Sequence, residues 1–130
     1  MSTNARAAYL DASIATASPA RLLVMLYERL VLDVQRGLEA QRRGDFEEAH
    51  RQLLHAQDIV MELQTSLRPE MFKGGHELAS LYGYLHRRLI LANIRKDASV
   101  TEECLTLVTG LCDTWRQAAL DAASATPRSA

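Results

Sequence analysis

The four histidines are the residues of this chain whose type first suggests metal chemistry. Glu47 and His50 have the Glu-x-x-His spacing of one half of a carboxylate-bridged di-iron site in a helical bundle. Such a site needs a second copy of the motif, and the sequence contains none. His76-Glu77 lacks the second histidine of a zinc-protease helix. The sequence therefore predicts no metal and no cofactor.

His86 is the one histidine whose neighbours suggest group transfer. Arg87 and Arg88 follow it and could steady a phosphoryl group. Histidine phosphotransfer domains typically show a His-x-x-Lys-Gly signature, which the residues after His86 do not match. A solvated charged face explains these residues more simply, and no nucleophile stands beside a base in a catalytic motif. We expect no catalytic residue, and a phosphotransfer bundle stays open as an alternative.

The two cysteines, Cys104 and Cys112, offer no redox pair. They lie eight residues apart in one predicted helix, about 12 Å at ~1.5 Å of rise per residue. A disulfide needs Cα atoms within roughly 7 Å. We expect both cysteines to be small, buried apolar residues.

The overall composition is that of one globular domain of 130 residues. With 15 basic and 16 acidic residues the formal net charge is −1, which argues against binding nucleic acid through bulk positive charge. No run of roughly 18 uncharged apolar residues exists, so no membrane insertion is expected. Residues 1–8 lack the apolar core of a signal peptide, which favours the cytosol.

Glycine and proline divide the chain into four helical segments, predicted at 19–43, 45–67, 76–96 and 99–123. Ser18, Asp45 with Glu48, and Ser99 with Glu102 supply helix-capping signals. Similar lengths and short connections predict an all-α, antiparallel up-down four-helix bundle. The expected organisation is an N-terminal arm at 1–17, the bundle at 18–123 and a disordered tail at 124–130.

Two of these helices carry more apolar residues than a bundle core can use. Residues 22–27 run without a polar break, and six consecutive residues cover the whole circumference of a helix. The third segment repeats the excess between Leu81 and Ile94. The N-terminal arm or a homodimer contact would cover the surplus. Alternatively, the surplus lines a groove for an amphipathic partner segment. Both interpretations stay open.

Several short blocks follow one another in order between residues 9 and 118. They are Tyr9 with Ile14, Thr16-Ala17-Ser18-Pro19, Leu22 with Met25-Leu26-Tyr27, Gly44-Asp45, Leu81-Tyr82-x-Tyr84, Arg88-Leu89, Ala92-Asn93 and Trp115. In this order the blocks resemble the FliS family of flagellin-specific export chaperones. The resemblance implies a non-enzymatic antiparallel bundle that binds the disordered C-terminal region of flagellin. It further implies that binding prevents premature polymerisation and supports flagellar type III export, with the export gate as a further candidate partner.

The resemblance also suggests partner-binding residues. Tyr9 and Ile14 are expected to anchor the arm. In the first helix the matching residues are Leu22, Met25, Leu26 and Tyr27, of which at least one must be core. In the third helix Tyr82, Tyr84 and Asn93 are expected at the surface, with Arg88 as a polar clamp. The loop at 70–75 has fewer acidic residues than the family pattern, so no role is assigned to it.

Overall fold

The computed structural model describes residues 19–125, and this part of the chain is built from helices without any strand. Helix α1 spans Pro19–Arg42, α2 Phe46–Ser66, α3 Gly75–Ile94 and α4 Ala98–Ala125. A single 3₁₀ turn, Pro69–Met71, lies between α2 and α3. The predicted arm at 1–17 lies outside the described residues, and α4 includes the first two residues of the predicted tail. Within 19–125 no helix is long and apolar enough to cross a membrane.

The four helices form a ring in which each packs against two others. Helix α1 contacts α2 and α4, and α3 contacts the same two helices. Because the connections are short, consecutive helices run antiparallel. The predicted all-α up-down bundle is therefore confirmed.

Acidic side chains cap the starts of two helices. The carboxylate of Asp45 accepts a hydrogen bond from the Glu48 amide at 3.2 Å, as the sequence predicts for α2. At α4 the prediction of Ser99 as the cap is wrong. Asp97 Oδ1 accepts from the Ser99 amide at 2.9 Å and from its hydroxyl at 2.7 Å. Asp97 directly precedes the first helical residue, whereas Ser99 is already inside the helix.

The core follows stripes of apolar residues at helical spacing on all four helices. Its fully buried members include Leu30, Val34, Leu53, Val60, Leu85, Leu89, Cys104 and Val108. Helices α1 and α2 approach closely at Gly37, where an added Cβ would lie 2.9 Å from Leu53 Cδ2. Both cysteines are free and buried, as expected from their spacing.

One end of the bundle, which we call the closed end, contains the α1–α2 and α3–α4 connections. A buried polar network lies here. Gln41 Nε2 donates to the Ala92 carbonyl at 3.0 Å, and the Thr101 hydroxyl donates to Gln41 Oε1 at 2.6 Å. The network joins α1, the end of α3 and the start of α4. Since these buried groups are all paired, the network stabilises this end without an unsatisfied polar atom.

A buried carboxylate joins α1 to α2 nearer the middle of the bundle. Asp33 is fully buried, and its two oxygens contact Arg29 Nε at 3.0 Å and His55 Nδ1. A buried carboxylate is costly unless it is paired. Arg29 and His55 are each half exposed, so they shield Asp33 while remaining in contact with water.

Candidate binding groove

An apolar groove of about 290 Å³ opens at the other end of the bundle, which we call the open end. It lies between the start of α1, the end of α2, the α2–α3 connection, the first half of α3 and the later half of α4. We call it the open-end groove. Its lining is Leu23, Leu26, Leu63, Ser66, Leu67, Arg68, Met71, Phe72, Leu78, Tyr82 and Trp115. Nine of these eleven side chains are apolar or aromatic, so the groove suits an apolar ligand rather than a charged one.

Tyr82 and the single tryptophan, Trp115, form the floor of the groove, and both contact Tyr27 beneath them. Tyr82 lines the groove, and its hydroxyl hydrogen-bonds to the hydroxyl of fully buried Tyr27. The Trp115 ring stacks on Tyr27 with centroids 6.3 Å apart and planes at 18°. Burial raises the pKa of both tyrosines, so both hydroxyls stay protonated at neutral pH. The floor is therefore uncharged and held by contacts among α1, α3 and α4.

The rim of the groove carries two exposed apolar side chains on the α2–α3 connection. Met71 is 72% exposed and Phe72 is 43% exposed. Pro69 begins the 3₁₀ turn that positions them, and its ring stops α2 because the residue before proline avoids helical geometry. A Cβ on Gly75 would overlap the Pro69 carbonyl, so this glycine lets α3 start directly against the turn. The connection therefore holds its apolar side chains beside the groove.

Two of the residues predicted to bind a partner line this groove, namely Leu26 and Tyr82. The expectation that Tyr82 is a surface residue is wrong, because it is only 2% exposed and continues the core stripe of Leu85 and Leu89. Tyr27 is a core residue, and it meets the expectation that at least one of the block 25–27 is core.

The other predicted residues of α1 lie beside the groove rather than in it. Leu22 is half-buried and Met25 is 42% exposed. Helical spacing places both on the stripe of Arg29 and Asp33, which faces α2. The predicted arm anchors Tyr9 and Ile14 lie outside the described residues.

Tyr84 and Arg88 belong to a separate cluster between α3 and α4. The Tyr84 hydroxyl donates to Glu103 Oε2 at 2.8 Å, and Arg88 Nε donates to Oε1 at 2.6 Å. The Arg88 guanidinium also lies 5.9 Å from the Tyr84 ring centroid. The two hydrogen bonds, with that of Tyr84 the stronger cause, lower the pKa of Glu103. Arg88, predicted as a clamp for a partner, is thus engaged with a carboxylate of its own chain.

Asn93 lies near the closed end. Its amide nitrogen is 2.9 Å from His50 Nδ1, and both residues border a cleft of about 330 Å³ that also contacts Phe46 and Lys96. The structure therefore distributes the predicted residues over the open-end groove, the core beneath it, the side of α1 that faces α2, the α3–α4 cluster and the closed end.

Sequence reasoning missed the residues that give the groove its rim. The sequence predicts no role for the loop at 70–75, yet Met71 and Phe72 are among the exposed large apolar residues of the described chain. Two adjacent large apolar residues in a short connection were the signal that could have found them. Trp115, which the sequence marks only as part of the family resemblance, also lines the groove.

The histidine chemistry considered from the sequence gains no support from the geometry. His86 is half-buried, and its neighbour Arg88 pairs with Glu103. Among residues 19–125 no three or more histidine, cysteine, aspartate or glutamate side chains come together in a way that could hold a metal ion.

A second cleft, between α1 and α4, is larger but less apolar. Its volume is about 470 Å³, and Val24 and Leu120 supply its large apolar side chains. Arg21, Glu28 and Arg116 also line it, and Arg116 pairs with Glu28 at 2.9 Å. Charged walls of this kind make it a poorer fit for an apolar ligand than the open-end groove.

Comparison with known proteins identifies relatives along nearly the whole chain. The family model described as flagellar protein FliS matches residues 1–122. The flagellar secretion chaperone FliS of Bacillus subtilis is 32% identical over 115 residues, covering 88% of this chain and 86% of the relative. That of Salmonella typhimurium is 32% identical over 111 residues, covering 82% and 81%. A crystal structure of a bacterial flagellar chaperone, 19% identical, superposes with a TM-score of 0.72 over 93% of this chain and 99% of that one, which shows the shared fold.

Proposed function

The chain belongs to the FliS family of flagellar secretion chaperones, and on that premise we propose that it binds the C-terminal region of flagellin in the cytosol. Binding keeps that region from polymerising before export and keeps flagellin deliverable to the flagellar type III export gate. The protein acts by binding and release, without catalysis.

The observation that carries this proposal is the open-end groove with its exposed rim. A segment that is disordered until it assembles presents apolar side chains that need temporary cover. The groove offers an apolar floor at Tyr82 and two exposed apolar rim residues, Met71 and Phe72. An amphipathic segment that folds on the groove would bury those side chains together with its own.

The energetics suit a client that must be released. Ordering a disordered segment offsets roughly 2–5 kcal/mol or more of the gross binding energy, so a large contact surface gives only moderate affinity. The net charge of −1 fits recognition by apolar anchors better than by electrostatic steering. Competition by another partner at the export gate then releases the client without nucleotide hydrolysis.

Calorimetric titration with the C-terminal segment of a flagellin from the same organism tests the proposal, with circular dichroism recorded on the mixture. We expect one-to-one binding and a gain of helicity beyond the sum of the two components. A flagellin segment that shows neither binding heat nor added helicity would contradict the proposed client.

A matched pair of variants ties binding to the groove. Met71 and Ile94 are both 72% exposed, but Met71 lies on the connection before α3 and Ile94 is the last residue of α3, a helix about 30 Å long at 1.5 Å per residue. We expect Met71→Asp to weaken flagellin binding by about tenfold or more, equivalent to about 1.4 kcal/mol. Ile94→Asp places the same charge at the same exposure and is expected to bind normally. Equal effects of the two changes would remove the groove from the binding site.

A further inference from the structure

The sulfur atoms of the described chain fall into two chemically different sets. The thiols of Cys104 and Cys112 are 0% and 1% exposed. Burial raises the pKa of Cys104 to about 12 and also raises that of Cys112. Because the thiolate is the form that reacts with peroxide, both cysteines are protected from oxidation by access and by protonation state.

The thioethers are in the opposite situation. Met25, Met61 and Met71 are 42%, 48% and 72% exposed. Oxidation of a thioether requires no deprotonation, so exposure is what governs its reactivity here. Met71 is the most exposed of the three and the one that lines the open-end groove.

We propose that Met71 is a reversible oxidation site whose sulfoxide weakens client binding in the open-end groove. The inference rests on the proposed function, since it concerns the regulation of the same site. Its oxidant is a peroxide, its reductant a dithiol-dependent methionine sulfoxide reductase, and the oxidised species is methionine sulfoxide.

The chemistry balances as a two-electron exchange. An oxygen atom passes from hydrogen peroxide to Sδ of Met71, so that an S–O bond forms, the O–O bond breaks and the peroxide is reduced to water. In the reverse step two thiols of the reductase become a disulfide, and the sulfoxide oxygen leaves as water.

The position of Met71 in the groove explains why its oxidation would weaken client binding. Its neighbours in the groove lining include Leu67, Phe72 and Leu78, which are apolar. A sulfoxide is a strong hydrogen-bond acceptor, and a client that covers it with apolar side chains leaves it without water. Oxidation therefore penalises the bound state, while the free protein keeps the sulfoxide hydrated because the side chain is mostly exposed.

Mass spectrometry after a timed exposure to hydrogen peroxide tests the site without any client. We expect Met71 to gain one oxygen faster than Met61 and Met25, with Cys104 and Cys112 unmodified. Faster oxidation of either cysteine, or of Met61, would overturn the assignment of Met71 as the oxidation site.

Titration with the flagellin C-terminal segment, after catalase has removed the peroxide, tests the consequence. We expect oxidised wild type to bind about tenfold more weakly and to recover after reductase treatment. The affinity of Met71→Leu should be the same before and after exposure to peroxide, whereas Met61→Leu should lose affinity on exposure as wild type does. Unchanged affinity of a protein shown to carry the Met71 sulfoxide overturns the regulatory inference. Failure of the untreated protein to bind would instead contradict the proposed function.

Discussion

The two ends of the bundle are built in opposite ways. At the closed end, tight connections, carboxylate caps at Asp45 and Asp97 and the buried Gln41–Thr101 network satisfy the polar groups. At the open end, a longer connection leaves Met71 and Phe72 exposed beside an apolar groove. The same four helices therefore carry a buried polar network at one end and an apolar groove with an exposed rim at the other.

This difference separates stability from binding along the length of the bundle. Polar networks fix a unique arrangement because each buried group needs its own partner. Exposed apolar residues contribute little to the stability of the free protein and become useful when a partner covers them. Changes at the closed end should therefore alter unfolding alone, whereas changes at the open end should alter client binding as well.

A glycine at each end gives the largest expected contrast. Gly75 has no room for a Cβ beside the Pro69 carbonyl, so Gly75→Ala must displace the connection that holds the groove rim. We expect it to lower the free energy of unfolding by about 3 kcal/mol and to weaken client binding by about tenfold. Gly44, with φ of +78° and open space around it, tests the closed end.

Gly44→Ala should cost about 1 kcal/mol, because an L-residue is strained at positive φ, and it should leave client binding unchanged. Urea unfolding and calorimetric titration of both variants make the measurement. Normal binding by Gly75→Ala would show that the groove does not depend on this connection.

Removal of one hydroxyl tests the closed-end network. Thr101→Val leaves Gln41 Oε1 without its 2.6 Å donor, and we expect a loss of about 2 kcal/mol in unfolding free energy with unchanged client affinity. Thr106→Val on the same helix is the control, since this exposed hydroxyl donates only to the Glu102 carbonyl. The control should change stability by less than about 0.5 kcal/mol. Similar losses from the two variants in urea melts would argue against a special role of the network.

The tyrosine pair beneath the groove allows a double-mutant cycle. Tyr27→Phe and Tyr82→Phe each remove one hydroxyl of a buried hydrogen bond, and each should cost about 1 kcal/mol. Each single variant leaves one buried hydroxyl without a hydrogen-bond partner, whereas the double variant leaves none. The double variant should therefore cost less than the sum of the single changes. Fully additive losses in thermal or urea unfolding would mean that the two hydroxyls do not interact.

The smallest expected effect is on the melting temperature at low pH. The hydrogen bonds from Ser99 lower the pKa of Asp97 in the folded protein. A carboxyl with a depressed folded pKa stabilises the fold above its unfolded pKa, and this contribution is lost as pH falls through the folded pKa. Asp97→Asn keeps the cap but not the charge, so its melting temperature should fall less between pH 5 and pH 3 than that of wild type, by about 1–2 °C. Parallel pH profiles would show that Asp97 contributes no acid sensitivity.

Local rules predicted the bundle well because its helix boundaries depend on single residues. Pro19, Asp45 and Pro69 act through their own backbone or side-chain chemistry, and the helices begin or end within about two residues of the predicted positions. Ala49 and Leu53 of α2 are buried four residues apart, which is the helical spacing of a core-facing stripe. Such features can be predicted without knowing which residues of the other helices pack against them.

The groove could not be predicted from local sequence rules, because contacts between different elements of the fold form it. The buried Tyr82 hydroxyl hydrogen-bonds to that of Tyr27 on another helix, and the two residues are 55 positions apart in the chain. The rim exists because Gly75 packs against Pro69, a contact that residue patterns do not reveal. The predicted site therefore mixed groove, core and unrelated surface residues.

Hydrogen–deuterium exchange of the protein with and without the flagellin C-terminal segment tests the contrast between the two ends most directly. We expect slower exchange on binding at the open end, over residues 66–78 and around Trp115, with no change at the closed end over 38–46 and 92–101. Protection confined to the closed end, with the α2–α3 connection unaffected, would contradict it.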